Sequence, residues 1–375
     1  MKIEFLKGSE SVSQYQDIDF YRKGGMGEIY TATDTSTNQK KAIKLIPVND
    51  DEEYQLLKTE FEISESLNHK NIVETEYFDE FDNKGVRYIY SVMKFNGKGS
   101  LRDLLKLQSE QISFPVALKL MLDISQGLEY AHVKVVHRDL KPENILIADN
   151  NDLQICDFGL AKLVDTKTRT RSFKGSGTLP YMSPECWTFS PNTTSMDIYS
   201  LGIIFYEIAT LKLPFTGKSE SEFRDSHLYE QLPNIRIERT DLPMRLIELI
   251  NKMTNKRPQD RYSSMSEIVQ ILEDLDQNIP LDKDSKIDLL LNKANKKISE
   301  AQQQELEKQK ERDIIEVQNK LINFSIKSLF DLITERINVL NGSLERTKIL
   351  VSRNSNTLSA SFMRKDLSMY ISTRK

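Results

Sequence analysis

Cysteine is scarce in this chain: Cys156 and Cys186 are the only two among 375 residues. Two cysteines build no disulfide framework, and a reducing, cytoplasmic compartment suits them. Long apolar runs are missing as well. The longest, around Ile203-Ile204-Phe205, is broken by Glu207, so no membrane span is expected. The first residues, MKIEFLKGSESVSQ, lack the apolar centre of a secretory signal, and none is expected. Positive charge is not in excess. A net charge of -4 gives no footing for a nucleic-acid partner. What is present is 38% hydrophobic and 29% charged, the balance of a soluble protein with a large polar surface. The length suits two or three domains.

The most informative stretch is His137-Arg138-Asp139-Leu140-Lys141-Pro142-Glu143-Asn144, followed by Asp157-Phe158-Gly159. Alone, Asp-Phe-Gly is usually a turn and His-Arg-Asp usually surface. Together they set two carboxylates, an amide and a lysine close in sequence. That set suits phosphoryl transfer from a magnesium-bound nucleotide. Such a transfer needs metal ions on hard oxygen ligands, an acceptor hydroxyl held in line, and cations near the developing charge. The string resembles the catalytic and metal-binding loops of eukaryotic-type Ser/Thr protein kinases, in their bacterial-like form.

The resemblance implies an α+β, bilobal kinase fold over residues 16 to 277. The strand-rich N-lobe would span 16 to 95 and the helical C-lobe 96 to 277. Residues 1 to 15 would form an N-terminal extension. It also implies roles: Asp157 and Asn144 on Mg2+ (or Mn2+), Asp139 on the acceptor hydroxyl, and Lys141 on the transferred phosphate of ATP. Lys23-Gly24-Gly25-Met26-Gly27-Glu28-Ile29-Tyr30 resembles the glycine-rich loop over the nucleotide, where absent Cβ atoms let backbone amides approach phosphate. Arg22 stands where its first glycine is expected. Ala42 would pack on adenine and Lys44 would bind the phosphates, while Lys41 reads as a solvated strand lysine. Glu60, nine residues before His69, would pair with Lys44, with Glu62 as the competing assignment. Ser64 replaces a leucine usually buried one turn on, which weakens that helix's packing. Met93 would stand at the back of the adenine pocket, with Phe95 in the hinge.

Further along, Gly177-Thr178-Leu179-Pro180-Tyr181-Met182-Ser183-Pro184-Glu185 resembles the end of an activation segment. Thr178 with Lys141 resembles Ser/Thr rather than tyrosine kinases, so protein substrates are implied. The hydroxyl-rich run from Thr166 to Ser176 offers Thr170 and Ser172 for autophosphorylation, read by Arg138. Asp197 would hold the catalytic-loop backbone, and Arg261 would pair with Glu185. Cys156 reads as a small buried hydrophobe. Two other classes stay open, a pseudokinase scaffold and a small-molecule phosphotransferase.

Residues 281 to 375 read as a helical, coiled-coil-like tail. Glycine and proline are absent from 284 to 320. Apolar residues step by three and four at Ile314, Val317, Leu321 and Phe324, then at Phe330, Ile333, Ile337, Leu340 and Leu344, with a phase shift between. Two readings stand side by side: a helical hairpin packed on itself or on the kinase lobe, and a homodimerisation or partner-binding element.

Overall fold

The computed structural model describes residues 15–23, 27–83, 85–158, 162–163, 179–188, 193–277, 283–343, 349–353, 357–362 and 365–372. The chain divides into two compact units, Met1–Ser299 and Glu300–Lys375.

The first unit opens with β1 (Tyr15–Lys23), β2 (Glu28–Asp34) and β3 (Lys40–Val48). Helix α1 (Asp51–Glu65) follows, then β4 (Thr75–Asn83) and β5 (Val86–Lys94). The strands form one antiparallel sheet in the order β1-β2-β3-β5-β4. Period-two alternation gives this sheet two apolar faces. Tyr30, Ile43, Leu45, Tyr90 and Val92 cluster on one face. Ile46, Val48 and Ile89 of the other cluster with Leu57 and Phe61 of α1. Asp50 caps α1 by accepting from the Glu53 amide at 2.8 Å. Lys41 departs from the expected solvated lysine. It is buried and pairs with Glu76, because β3 lies inside the sheet and its neighbours cover both faces.

The following half of this unit is mainly helical. Ser100 and Asp103 form a capping box on α2 (Leu101–Leu107). Helix α3 (Phe114–Ala131) buries twelve of its residues. Short strands β6 (Val135–Val136), β7 (Ile145–Ile147), β8 (Leu153–Ile155) and β9 (Lys162–Leu163) bracket the catalytic-loop sequence. Helices α4 (Pro184–Trp187), α5 (Thr194–Thr210), α6 (Glu220–Tyr229), α7 (Met244–Met253) and α8 (Met265–Gln277) complete the lobe. Every residue of α5 from Met196 to Thr210 is buried, so this helix is the core axle of the lobe. The bilobal fold is the one the sequence implied.

The tail is helical only in part. One helix, α9 (Lys283–Ser343), runs unbroken through the phase shift, since nothing between 283 and 341 breaks it. The hairpin reading is therefore corrected. Beyond it, β10 (Ile349–Arg353), β11 (Thr357–Phe362) and β12 (Lys365–Ser372) form an antiparallel sheet where helix was expected. Their Ile, Val, Thr, Phe and Tyr content favours the pleated form. Asn341 joins helix to strand. Its amide donates to the Ile349 carbonyl at 2.8 Å and accepts from the Ile349 N–H at 2.7 Å. Among the described residues, no helix is long and apolar enough to cross a membrane.

Candidate active site

A cleft opens along the sheet, with Ile29, Ala42, Lys44, Met93, Phe95 and Asp157 in its walls. Five of these are the nucleotide-binding candidates and one is a metal candidate. Register explains the grouping, because Ala42 pairs with Met93 and Lys44 with Ser91 across β3 and β5. Gly27 sits where a Cβ would meet the Leu45 carbonyl oxygen at 2.2 Å, so only glycine fits. Gly24, Gly25, Thr178 and the run from Thr166 to Ser176 lie outside the described residues.

Lys44 Nζ donates to Asp157 Oδ1 at 2.5 Å. Burial acts to raise the Asp157 pKa, but the charge and hydrogen bond of Lys44 outweigh it and lower it to about 2. Burial likewise acts to lower Lys44, and the Asp157 charge reverses that and raises it. The pair is therefore an ammonium and a carboxylate. Glu60 acts on Lys44 through its charge, while the hydrogen bond of Lys44 goes to Asp157. Glu62 is exposed on α1, which removes the competing assignment.

Behind this pair the backbone is held in uncommon conformations. Arg138 has φ +71° and Asp157 φ +65°, the left-handed region that non-glycine residues enter at a cost. Asp197, near the start of α5, fixes the first of these. Its carboxylate accepts from the His137 N–H at 2.7 Å, the Arg138 N–H at 2.8 Å and His132 Nε2 at 2.9 Å. The second is held from below. His137 Nε2 donates to the Cys156 carbonyl at 3.1 Å, and its ring lies against buried Phe158 at 4.7 Å. Asp139 then receives Lys141 Nζ at 2.7 Å and Asn144 Nδ2 at 3.1 Å. The Lys141 charge reaches Asp157 and helps to lower its pKa.

Sequence reasoning missed several lining residues, Leu146, Tyr21 and Asp103 among them. Leu146 faces the cleft from between Ile145 and Ile147, both fully buried. The alternation of Ile-Leu-Ile was the available signal. Tyr21 stacks edge-on against Phe95 at 5.5 Å, and no sequence pattern marked it. Asp103 lines the cleft from α2, although its sequence role was a helix cap. Arg22 also lines the cleft, and Ser64 lines it with Phe61, Val73 and Phe158. The Ser64 hydroxyl bonds back to the Glu60 carbonyl at 3.0 Å, so the site of an apolar filler is left as space.

Residues 15–273 match the family model of the protein kinase domain. The chain belongs to the protein kinase family. Its kinase domain is similar to that of a probable serine/threonine-protein kinase of Clostridium acetobutylicum. The two are 31% identical over 68% of this chain and 39% of the relative. Serine/threonine-protein kinase PrkC of Bacillus subtilis is 30% identical over 70% of this chain and 40% of its own length. Serine/threonine-protein kinase PknA of Mycobacterium tuberculosis is 32% identical over 64% and 56%. The chain thus spans about two fifths to just over half of these relatives.

Proposed function

We propose that this chain is a Ser/Thr protein kinase that transfers the γ-phosphoryl group of MgATP to protein hydroxyls. The observation that carries this reading is the Asp139 carboxylate, held by Lys141 and Asn144 beside the Lys44–Asp157 pair. Asp139 orients the acceptor hydroxyl and accepts its proton. The hydroxyl oxygen bonds to the γ-phosphorus, and the bond to the β-phosphate oxygen breaks, releasing ADP. Lys141 faces the charge on the moving group. Lys44 serves the α- and β-phosphates, and Ala42, Ile29 and Leu146 enclose the adenine.

Asp157 and Asn144 offer a carboxylate and an amide oxygen. These hard donors fit magnesium, which also takes water and phosphate oxygens. An ion held by these two residues would supply positive charge against the phosphates. The reading extends to self-phosphorylation at Thr170 or Ser172, to a cytoplasmic place of action and to pairing of two copies through the tail. Buried, unpaired Cys156 and Cys186 support the reducing compartment.

Incubation with labelled ATP and magnesium tests the central claim. The wild type should label itself or a general protein substrate. Asp139→Asn should lower the rate by at least ~10²-fold, the scale of a lost general base. No labelling by the wild type would leave a scaffold rather than an enzyme.

A further inference from the structure

Helix α9 carries two apolar stripes. Phe330 and Ile337 belong to a stripe that is buried. The other is left open: nine large apolar side chains between Ile314 and Leu340 are 49% to 69% exposed. Contiguous open apolar surface of this kind marks an interaction site. Half-exposed side chains of this size offer on the order of 100 Å² each, so the nine reach the ~800 Å² per partner of a standard interface.

The spacing of the open stripe says what covers it. Ile314 and Ile315 stand at one end, Val339 and Leu340 at the other, with Ile322 and Leu332 between. Six of the nine fall in three pairs equidistant from residue 327, namely Ile314 with Leu340, Ile315 with Val339 and Ile322 with Leu332, while Leu321, Phe324 and Leu329 have no open apolar mirror. Along the helix the stripe covers about 40 Å at ~1.5 Å per residue. A twofold contact requires a self-complementary surface, and in an antiparallel pair each layer meets its mirror position. A surface evolved for an unrelated partner has no need of these mirror pairs. A parallel pair has no need of them either.

We propose that the open stripe of α9 binds the same stripe of a second copy, antiparallel, about a twofold axis at the level of residue 327. The Ile314–Ile315 layer of one copy packs on the Val339–Leu340 layer of the other, and Ile322 packs on Leu332. This rests on the pairing role proposed above for the tail and adds the partner face and its direction.

The test uses the full chain. Sedimentation or light scattering over a concentration series should give twice the chain mass. Ile322→Glu should reduce it to the chain mass, with an unchanged far-ultraviolet helix signal. Direction is read by oxidation of Ile322→Cys and Leu332→Cys variants. These positions are about 15 Å apart along the axis. Mixed together, the two variants should form a disulfide-linked pair, and neither should link to itself. A monomeric wild type overturns both the pairing and the direction. A dimer whose single variants link to themselves overturns the direction alone. A dimer that survives Ile322→Glu overturns the stripe as its interface. None of these outcomes depends on phosphoryl transfer.

Discussion

At the scale of single residues, the Lys44–Asp157 pair sets a pH dependence. Asp157 has its folded pKa lowered to about 2, below the ordinary ~3.9 of an unfolded aspartate. Its stabilising contribution is therefore complete above about pH 4 and is lost as pH falls toward 2. Lys44→Met removes the countercharge, and burial is then left to raise the Asp157 pKa. Carboxyl-carbon NMR titration should show that rise, and an unmoved Asp157 would contradict the assignment. Ser64 is the second residue of interest. Ser64→Leu should fill cleft space beside Phe61 and Phe158 and stabilise the fold by about 1 kcal/mol. Differential scanning calorimetry would show a melting temperature higher by ~2–4 °C. A lower one would mean the space is needed by a neighbour. Cys156 is legible at this scale too: burial pushes its thiol up to about 12, as expected of a small buried hydrophobe.

At the scale of elements, buried charge decides most. Arg261 donates from Nη1 and Nη2 to Glu185 at 2.6 and 2.8 Å, and it also donates to the carbonyls of Ser195, Asn255 and Lys256. One side chain thereby ties α4, the start of α5 and the loop before α8. Arg261→Ala strands Glu185 and should cost ~3–5 kcal/mol, read as a lower denaturant midpoint. Lys256 shows the opposite case. Burial lowers its pKa to about 8, so the folded state holds its charge at a cost. It also helps burial to lower the His227 pKa, beside the Tyr199 hydroxyl. Lys256→Met should raise the melting temperature at pH 7, and the gain should shrink as pH rises toward 10. A loss of stability would show that its bond to the Ser226 carbonyl matters more.

At the scale of the whole molecule, the site and the tail are separable. All catalytic and nucleotide candidates lie before residue 179, and the open stripe lies after residue 313. Ile322→Glu should therefore leave phosphorylation of an added protein substrate unchanged. Self-phosphorylation between copies should become slower at low protein concentration, because pairing raises the local concentration. Labelled-ATP assays across a dilution series would show this. Equal rates for the wild type and Ile322→Glu at every dilution would separate pairing from catalysis.

The motif run from Gly27 to Arg261 by itself implied the fold and named Ile29, Ala42, Lys44, Met93, Phe95 and Asp157 of the cleft lining. Phosphoryl chemistry demands certain side chains at certain points of a loop or strand, and such demands are local. The role of Asp197 at the start of α5 and the Glu185–Arg261 pair were implied by the family resemblance of the short strings that carry them. The tertiary structure decided what depends on distant neighbours. It buried Lys41 by placing β3 inside a sheet, and it set Lys44 to donate to Asp157 while Glu60 acts on Lys44 through its charge. It brought Tyr21 and Leu146 to the cleft from opposite lobes. In the tail, periodicity marked a helix and two apolar sets. Only packing could show that one stripe is covered and the other open, since burial belongs to the neighbours and not to the sequence that carries it.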